Sequence, residues 1–284
     1  MRKSLITTAV LGALAVPSFI FAADAAPAPD LTVAYNVGLY SQYIFRGMTQ
    51  TNHKPALQGG VDLTHSSGLY LGAWGSNISW LTDGTGAGET KYYKSGGSLE
   101  LDIYGGYRYT FGSGLGIDIG ALQYYYPGVR DRAFPKANTT EIYGALSYGW
   151  VQAKLSEVVS EAAWGFGKIP GDANTSKAGG TYYAELNATI PVGDLVGGDV
   201  MSGVTAIAHI GRQDFDAGRG NDPASYTDYK LGLQKTFANG VNVGGYWTDT
   251  NNKYIPANNT FTAWKYDGKN IGESTGTVYI QKTF

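Results

Sequence analysis

The chain has 284 residues, of which 43% are apolar and only 15% charged, and it contains 41 glycines, 22 tyrosines and no cysteine. The missing cysteines exclude a disulfide scaffold, thiolate metal sites and thiol nucleophiles. A formal net charge of −2, without clustered lysine and arginine, excludes nucleic-acid binding through a broad basic face.

The first residues predict export. Met1-Arg2-Lys3 precedes an apolar stretch over residues 5–23, and Ala23-Asp24-Ala25 follows with small side chains. This order is typical of a signal peptide, which we expect to comprise residues 1–25. No later segment approaches the ~18 unbroken apolar residues of a membrane-spanning helix. Residues 26–284 are therefore predicted to form one domain. If this domain crosses a membrane, it does so with strands.

The rest of the chain alternates between apolar and polar residues. In residues 98–111, Leu99, Leu101 and Ile103 lie on one face, against Glu100 and Asp102 on the other. Successive side chains of a strand point in opposite directions, so this pattern predicts strands. The same reading gives twelve strands, the first of them over residues 31–46.

The connections between these strands alternate between long and short. Six are longer loops and five are shorter turns, of which residues 193–203 fit least well because they are long for a turn. Bacterial outer-membrane barrels show this alternation, with an even number of strands. The predicted fold class is all-β: a transmembrane antiparallel up-and-down β-barrel of about 12 strands.

Two features indicate that the apolar face points outward, to lipid. Glycine, alanine and leucine would not fill the interior of a twelve-stranded barrel, whose backbone radius is about 12 Å, whereas water and polar side chains would. Aromatic residues also cluster toward strand ends, as they do at membrane interfaces. These aromatic residues are Tyr107, Tyr109, Phe111, Tyr124, Tyr125, Tyr126, Tyr148, Trp150, Phe237, Trp247 and Phe284.

One region resembles a known family. Its segments are Ser41-Gln42-Tyr43-Ile44-Phe45-Arg46-Gly47, then Lys54 through Asp62 (Lys-Pro-Ala-Leu-Gln-Gly-Gly-Val-Asp), then Gly68 through Asn77 (Gly-Leu-Tyr-Leu-Gly-Ala-Trp-Gly-Ser-Asn). These segments are similar to the TorF-type porins, and the similarity is most specific over residues 31–80. The resemblance implies an outer-membrane β-barrel of Gram-negative bacteria with no agreed solute.

The last strand has its own resemblance. Phe284, with Ile280 and Val278 at alternate positions, is similar to the final strand that outer-membrane barrels present to the barrel-assembly machinery. Lys282 departs from that pattern, since an apolar residue usually stands there. Its aliphatic stem can reach along the surface and place the amine at the headgroup level.

The polar face supplies the candidate site. If the apolar face contacts lipid, seven acidic and four basic side chains and one histidine face the lumen. They are Arg46, Asp62, Glu100, Asp102, Arg108, Asp118, Glu141, Lys154, Glu185, His209, Asp228 and Lys230. Rings of side-chain charge give pores their selectivity. The sequence therefore predicts a narrow, mildly acidic channel for passive diffusion of small hydrophilic solutes. Arg46 and Arg108 are expected to face Glu100, Asp102 or Asp228.

Other functions stay open. The same charges can form a structural ladder between strands, which would suit a non-conducting structural or receptor barrel. An outer-membrane lipid hydrolase would need a serine and a base, and His65-Ser66-Ser67 contains both. Neighbouring residues on a turn seldom form an oriented pair, and no third group is evident. We therefore expect no enzymatic activity, no cofactor and no metal site.

Overall fold

A computed structural model describes residues 30–84, 91–169, 171, 177–215, 224–252, 264–266 and 269–284. The expected signal peptide, residues 1–25, lies outside the described residues. No helix in the described ranges is long and apolar enough to cross a membrane.

Twelve antiparallel strands close into one barrel, as predicted. Each strand pairs with its neighbours in the chain, and the first strand also pairs with the last, through Asn36 opposite Thr283 and Tyr40 opposite Tyr279. The strands are β1 (Leu31–Tyr40), β2 (Ala56–His65), β3 (Leu69–Asn77), β4 (Leu99–Thr110), β5 (Leu115–Tyr125), β6 (Thr139–Tyr148), β7 (Val151–Val158), β8 (Tyr182–Ile190), β9 (Val204–Asp214), β10 (Tyr226–Thr236), β11 (Val241–Thr250) and β12 (Thr275–Thr283).

The two ends of the barrel differ in their connections. One end, here the loop side, has the six long connections, and the other, the turn side, has the five shorter ones and both described termini. A one-turn helix, α1 (Val192–Val196), lies in the turn-side connection between β8 and β9 and accounts for its length. In the described parts of the long connections lie four two-stranded ladders. They are Ile44–Phe45 with Met48–Thr49, Tyr93–Gly96 with Gly128–Arg130, Ala162–Ala163 with Phe166–Gly167, and Lys265–Tyr266 with Lys269–Asn270.

The outer surface of the barrel is apolar and its inner surface is polar. On β4, Leu99 and Ile103 are 40% and 56% exposed. Glu100 and Asp102, which lie between them in the sequence, are only 2% and 5% exposed. Every one of the twelve strands carries at least one exposed large apolar side chain. This division is that of a transmembrane barrel, in which apolar side chains contact lipid and polar ones line the interior.

The aromatic prediction needs one correction. Exposed aromatic side chains do lie toward strand ends, among them Tyr109, Tyr148 and Trp150. Tyr124 and Tyr126, which were placed in the same belt, instead point into the barrel and are buried. Their neighbour Tyr125 is exposed, because consecutive residues of a strand alternate between faces.

The densest apolar packing lies inside the barrel, on the loop side. Buried side chains from several long connections meet side chains from the inner wall there. The cluster includes Tyr43, Met48, Ile78, Trp80, Leu81, Tyr93, Tyr124, Tyr126, Phe215, Tyr226, Tyr266 and Ile271. The long connections thus fold partly into the lumen, and this packing positions the candidate site.

Candidate functional site

The connection between β1 and β2, residues 41–55 and here called loop 1, folds into the lumen. The backbone N–H of Ser41 donates to the carbonyl oxygen of Val278 at 2.9 Å, and the chain then leaves the wall. Its short ladder, Ile44–Phe45 with Met48–Thr49, lies inside the barrel, with Met48 and Thr49 almost completely buried. Strand β1 therefore ends at Tyr40, and the expected continuation to Arg46 is wrong.

Loop 1 crosses the lumen and packs against distant strands. A Cβ atom at Gly47 would lie 2.6 Å from Cβ of Asp228 on β10 and 2.6 Å from Cγ2 of Thr250 on β11. Gly47 also has a positive φ of 77°, so both the space and the backbone conformation require glycine here. The backbone N–H of Thr49 donates to the carbonyl oxygen of Ile271 at 2.8 Å. These contacts hold loop 1 against the inner wall and against the connection between β11 and β12.

Arg46, in loop 1, makes the central contacts of the loop-side lumen. Its Nη2 lies 2.8 Å from Oε2 of Glu141 on β6, and its Nη1 donates to Oε1 of Gln213 on β9 at 2.8 Å. The guanidinium carbon lies 4.2 Å from the ring centre of Tyr183 and 5.1 Å from that of Trp164. Carboxylate, amide and aromatic faces are the partners that a guanidinium prefers.

The charge of Arg46 is well compensated. Burial lowers the pKa of its guanidinium, but Glu141, Tyr124 and Tyr183 together raise that pKa by more, so it lies above its ordinary value. The backbone of Arg46 has a φ of 45°, which is unfavourable for a residue with a side chain. The side-chain contacts of Arg46 therefore hold the residue in a strained conformation.

The expected partners of the two arginines differ from those observed. Arg46 pairs with Glu141 rather than with Glu100, Asp102 or Asp228, because it sits on an inward loop and not on the wall. Arg108 lies directly opposite Asp118, and its Nε is 4.0 Å from Oδ2 of that residue. Eight residues separate Glu100 from Arg108 along β4, which is about 26 Å of extended strand, so the two cannot meet.

Carboxylates crowd the loop-side lumen. Oε1 of Glu100 accepts a hydrogen bond of 2.6 Å from the Tyr43 hydroxyl, and burial is the largest cause that raises the pKa of Tyr43. Asp102 and Glu141 are also buried, and no described residue forms a hydrogen bond with Oδ1 of Asp102 or Oε1 of Glu141. Among these three carboxylates, only Glu141 forms an ion pair within the part of the chain that the structure describes.

A second polar network surrounds His209 on β9. Its Nε2 lies 2.9 Å from Oδ1 of Asp228, and its Nδ1 lies 2.6 Å from Oδ1 of Asn187 and 3.7 Å from Oε2 of Glu185. The Tyr183 hydroxyl donates to Oδ2 of Asp228 at 2.9 Å. Both ring nitrogens of His209 thus lie within hydrogen-bond distance of side-chain oxygen atoms.

The turn-side lumen has a different character. Its cations lie over tyrosine rings, and its carboxylates accept hydrogen bonds from tyrosine hydroxyls. The contacts are Arg108 over Tyr70 at 4.0 Å, Lys154 over Tyr143 at 4.3 Å, Lys230 over Tyr246 at 4.8 Å, Tyr70 to Asp118 at 2.6 Å and Tyr104 to Asp62 at 2.6 Å. The side chains of Arg108 and Asp118 are 33% and 14% exposed, so water reaches this part of the wall.

The tyrosines of this wall lie flat over glycines of the neighbouring strand. A Cβ atom at Gly120 would lie 2.7 Å from Cζ of Tyr143, and one at Gly244 would lie 2.5 Å from Cζ of Tyr279. Any side chain at these positions would push the ring into the lumen. The glycines of the inner wall therefore allow these tyrosine rings to lie against the wall.

The family to which the chain belongs follows from a comparison with models of known protein families. A family described as "Bacterial protein of unknown function (Gcw_chp)" matches residues 24–284, nearly the whole chain. The chain is a member of the Gcw_chp family. The match does not carry the TorF name that the sequence resemblance suggested. No curated protein matches the Gcw_chp chain.

Solved barrels resemble this Gcw_chp protein only distantly. The KdgM porin has 8% identity and a TM-score of 0.46, and the match covers 89% of this chain and 98% of that one. The NanC porin has 10% identity and a TM-score of 0.48, over 89% and 99% of the two chains. OprD of Pseudomonas aeruginosa has 11% identity and a TM-score of 0.36, over 91% and 68%. Likeness at this level carries no argument about the solute.

One contact favours the lipid-hydrolase alternative, because it joins a histidine to a serine. Contrary to expectation, Nδ1 of His65 does lie 2.8 Å from Oγ of Ser67. The same Nδ1 also accepts the backbone N–H of Ser67 at 3.1 Å, as in a turn, and the nearby carboxylate of Asp30 accepts from Ser66 instead. Among the described residues of this Gcw_chp protein, no carboxylate is hydrogen-bonded to His65, so the third member of a triad does not appear there.

Several residues that surround Arg46 were not predicted from the sequence. They are Trp164, Tyr183 and Gln213, of which Tyr183 and Gln213 lie on the polar face of their strands. Neither Tyr183 nor Gln213 carries a charge, and charge was the signal that marked the other lumenal candidates. Trp164 lies in a long connection, where alternation gives no signal.

Proposed function

We propose that this Gcw_chp protein is an outer-membrane channel for the passive diffusion of small hydrophilic solutes. The observation that carries the proposal is the turn-side inner wall, where charged side chains that water reaches line a closed barrel with an apolar exterior. In a purely structural barrel these charges would be expected to pair closely as a ladder between strands, whereas the Arg108 side chain stays 33% exposed and its Nε lies 4.0 Å from Asp118, which favours a hydrated path.

The proposed channel is narrow and mildly acidic. Twelve strands enclose less space than the sixteen of general porins, and loop 1 occupies part of that space. The lumenal candidates include more carboxylates than cations, which favours cations or zwitterions. The proposed constriction residues are Arg46, Glu100, Asp102, Arg108, Asp118, Glu141, Glu185, His209, Asp228 and Lys230.

Export and assembly are part of the same proposal. We infer that residues 1–25 are a signal peptide and that Phe284 serves recognition by the barrel-assembly machinery. Val278 and Ile280 are exposed on one face of β12, and Phe284, directly after the strand, is also exposed, which supports that role. Lys282 turns its amine to the carbonyl oxygen of Asn239 and lies 5.3 Å from the Phe284 ring centre, so its stem covers apolar surface.

Planar-bilayer recording of the refolded chain tests the proposal. We expect a small, weakly cation-selective conductance, because carboxylates outnumber cations along the path. Arg46→Ala should enlarge the conductance, since it removes the side chain that joins loop 1 to the far wall. Lys235→Ala, at the turn-side rim, is the control and should leave the conductance unchanged. Absence of conductance from both wild type and Arg46→Ala would refute the channel.

A non-conducting structural or receptor barrel is the second candidate. It is favoured by one observation, the nearly complete burial of the loop-side lumen around loop 1 and Arg46. Planar-bilayer recording of Arg46→Ala separates the two functions. In a barrel whose lumen is packed only for stability, shortening one side chain should not produce a conductance.

A further inference from the structure

Most of the groups around Arg46 lie outside loop 1. Glu141, Gln213 and Tyr183 lie on β6, β9 and β8, and Trp164 lies in the connection between β7 and β8. Loop 1 adds the ring of Phe45, whose centre is 4.9 Å from the guanidinium carbon and which packs against Trp164. The carboxylate, the amide and two aromatic faces of a guanidinium site therefore come from the rest of the chain, and loop 1 fills that site.

Acidic side chains cluster around this site. Asp102 lies within electrostatic reach of Glu100 and Glu141, and among the described residues only Glu141 of these three is paired with a cation. Oδ1 of Asp102 and Oε1 of Glu141 are buried and have no hydrogen-bond partner in the described part of the chain. A buried carboxyl oxygen without a partner is costly, so this region favours a cationic group that brings several N–H donors.

The chemistry of that cation follows from the donors and acceptors present. The described residues contain no group of three or more His, Asp or Glu side chains that could hold a metal ion. Aromatic faces next to carboxylates suit organic cations, which are attracted to both. The amide oxygen of Gln213 adds an acceptor for an N–H group. The site therefore fits a guanidinium or primary ammonium group rather than a metal.

Loop 1 occupies this site with unfavourable backbone conformations, which a free ligand would not require. Arg46, Asn52 and His53 have φ values of 45°, 49° and 61°, in the left-handed region that residues with side chains rarely adopt. Such strain persists only where surrounding contacts impose it, and it is frequent at sites that switch. A solute that supplies the same contacts would allow loop 1 to relax.

The geometry points to a recognition site for small solutes that carry a guanidinium or primary ammonium group, in which Arg46 is a tethered stand-in for the solute. A solute entering from the loop side competes with Arg46 for Glu141, Gln213 and Tyr183, and loop 1 then moves off the path. This inference rests on the proposed channel function and names its solute class. A tethered group acts at an effective concentration in the mM range, so displacement needs solute at about that concentration.

Uptake of L-arginine and L-citrulline into proteoliposomes that contain the full chain tests the inference. The two amino acids have nearly the same shape, but citrulline carries an uncharged ureido group in place of the guanidinium. Wild-type protein should admit arginine faster than citrulline. Arg46→Ala should lower the half-saturating arginine concentration about tenfold, because the competing side chain is gone. Glu141→Gln should abolish the preference for arginine.

Two further variants control this experiment. Arg212→Ala removes an exposed arginine on the outward face of β9 and should leave both uptake rates unchanged. Arg46→Lys keeps the charge but loses the two-pronged hydrogen bonding, so its half-saturating concentration should lie between those of wild type and Arg46→Ala. The heat-dependent gel mobility of each variant shows whether it has folded. If Arg46→Ala does not fold, Glu141→Gln decides, and a retained preference for arginine overturns the inference.

The possible failures are distinguishable. If arginine and citrulline enter equally fast through wild type and Arg46→Ala, the channel stands and the recognition site is refuted. If neither enters through any folded variant, the channel proposal itself fails. If arginine is preferred but Arg46→Ala leaves its half-saturating concentration unchanged, Arg46 does not compete with solute and the inference is overturned.

Discussion

The two halves of the lumen accommodate charged side chains inside the membrane in different ways. On the loop side, carboxylates are almost completely buried, and a loop brings in Arg46 to pair with Glu141. On the turn side, Arg108 and Asp118 stay partly exposed and lie 4.0 Å apart, next to tyrosine rings that rest on glycines. One half is dry and depends on particular partners, and the other is reached by water.

This difference explains how one barrel can be densely packed at one end and hydrated at the other. The walls of both halves follow the same alternation and belong to the same strands. Loop 1, together with side chains of the other long connections, makes the difference, because it excludes water from the wall it covers and replaces the water with specific contacts. In the dry half, each ionic contact is strong, since screening by water is absent.

The largest expected effect compares one carboxylate in each half. Glu141→Gln leaves Arg46 buried without its ion-pair partner and should lower the free energy of unfolding by about 3 kcal/mol. Asp118→Asn removes a partly hydrated partner of Arg108 and should cost about 1 kcal/mol or less. Urea titration of the folded band on unboiled gels measures both. Equal losses would mean that the two halves are equally hydrated.

A smaller effect tests the glycine-lined wall of the turn side. A Cβ atom at Gly72 would overlap the ring of Tyr104, so Gly72→Ala should cost about 1–3 kcal/mol by forcing the ring inward. Gly144→Ala is the matched control, because a Cβ atom there meets nothing within 4 Å and should change stability by less than about 0.5 kcal/mol. The same urea titration applies, and a neutral Gly72→Ala would show that the rings do not depend on these glycines.

The barrel could be predicted from the sequence because its signal is local. Alternation within β4 places Leu99 outward and Glu100 inward whatever the other strands do, and the long and short connections alternate along the chain itself. Twelve strands and their two faces follow from such patterns alone.

Loop 1 could not be predicted because its contacts are not local. The alternation of β1 is interrupted only by Ser41 and resumes at Tyr43 and Phe45, so it predicts a strand that continues past Tyr40. What bends the chain inward is its contact with partners far along the sequence, such as Glu141 and Gln213. The prediction for Tyr124 and Tyr126 was wrong for a related reason. An aromatic residue near a strand end can lie in the outer aromatic belt or inside the barrel, and its position along the strand does not decide between them.

Thiol labelling tests the placement of loop 1 most directly, because the wild-type chain has no cysteine. Met48→Cys puts a thiol at a position that is 2% exposed inside the barrel, and Lys54→Cys puts one at an exposed position of the same loop. With a water-soluble maleimide on the folded protein, Met48→Cys should react at least about tenfold more slowly than Lys54→Cys, because labelling requires loop 1 to open. Equal rates would show that loop 1 lies outside the lumen and would contradict the account.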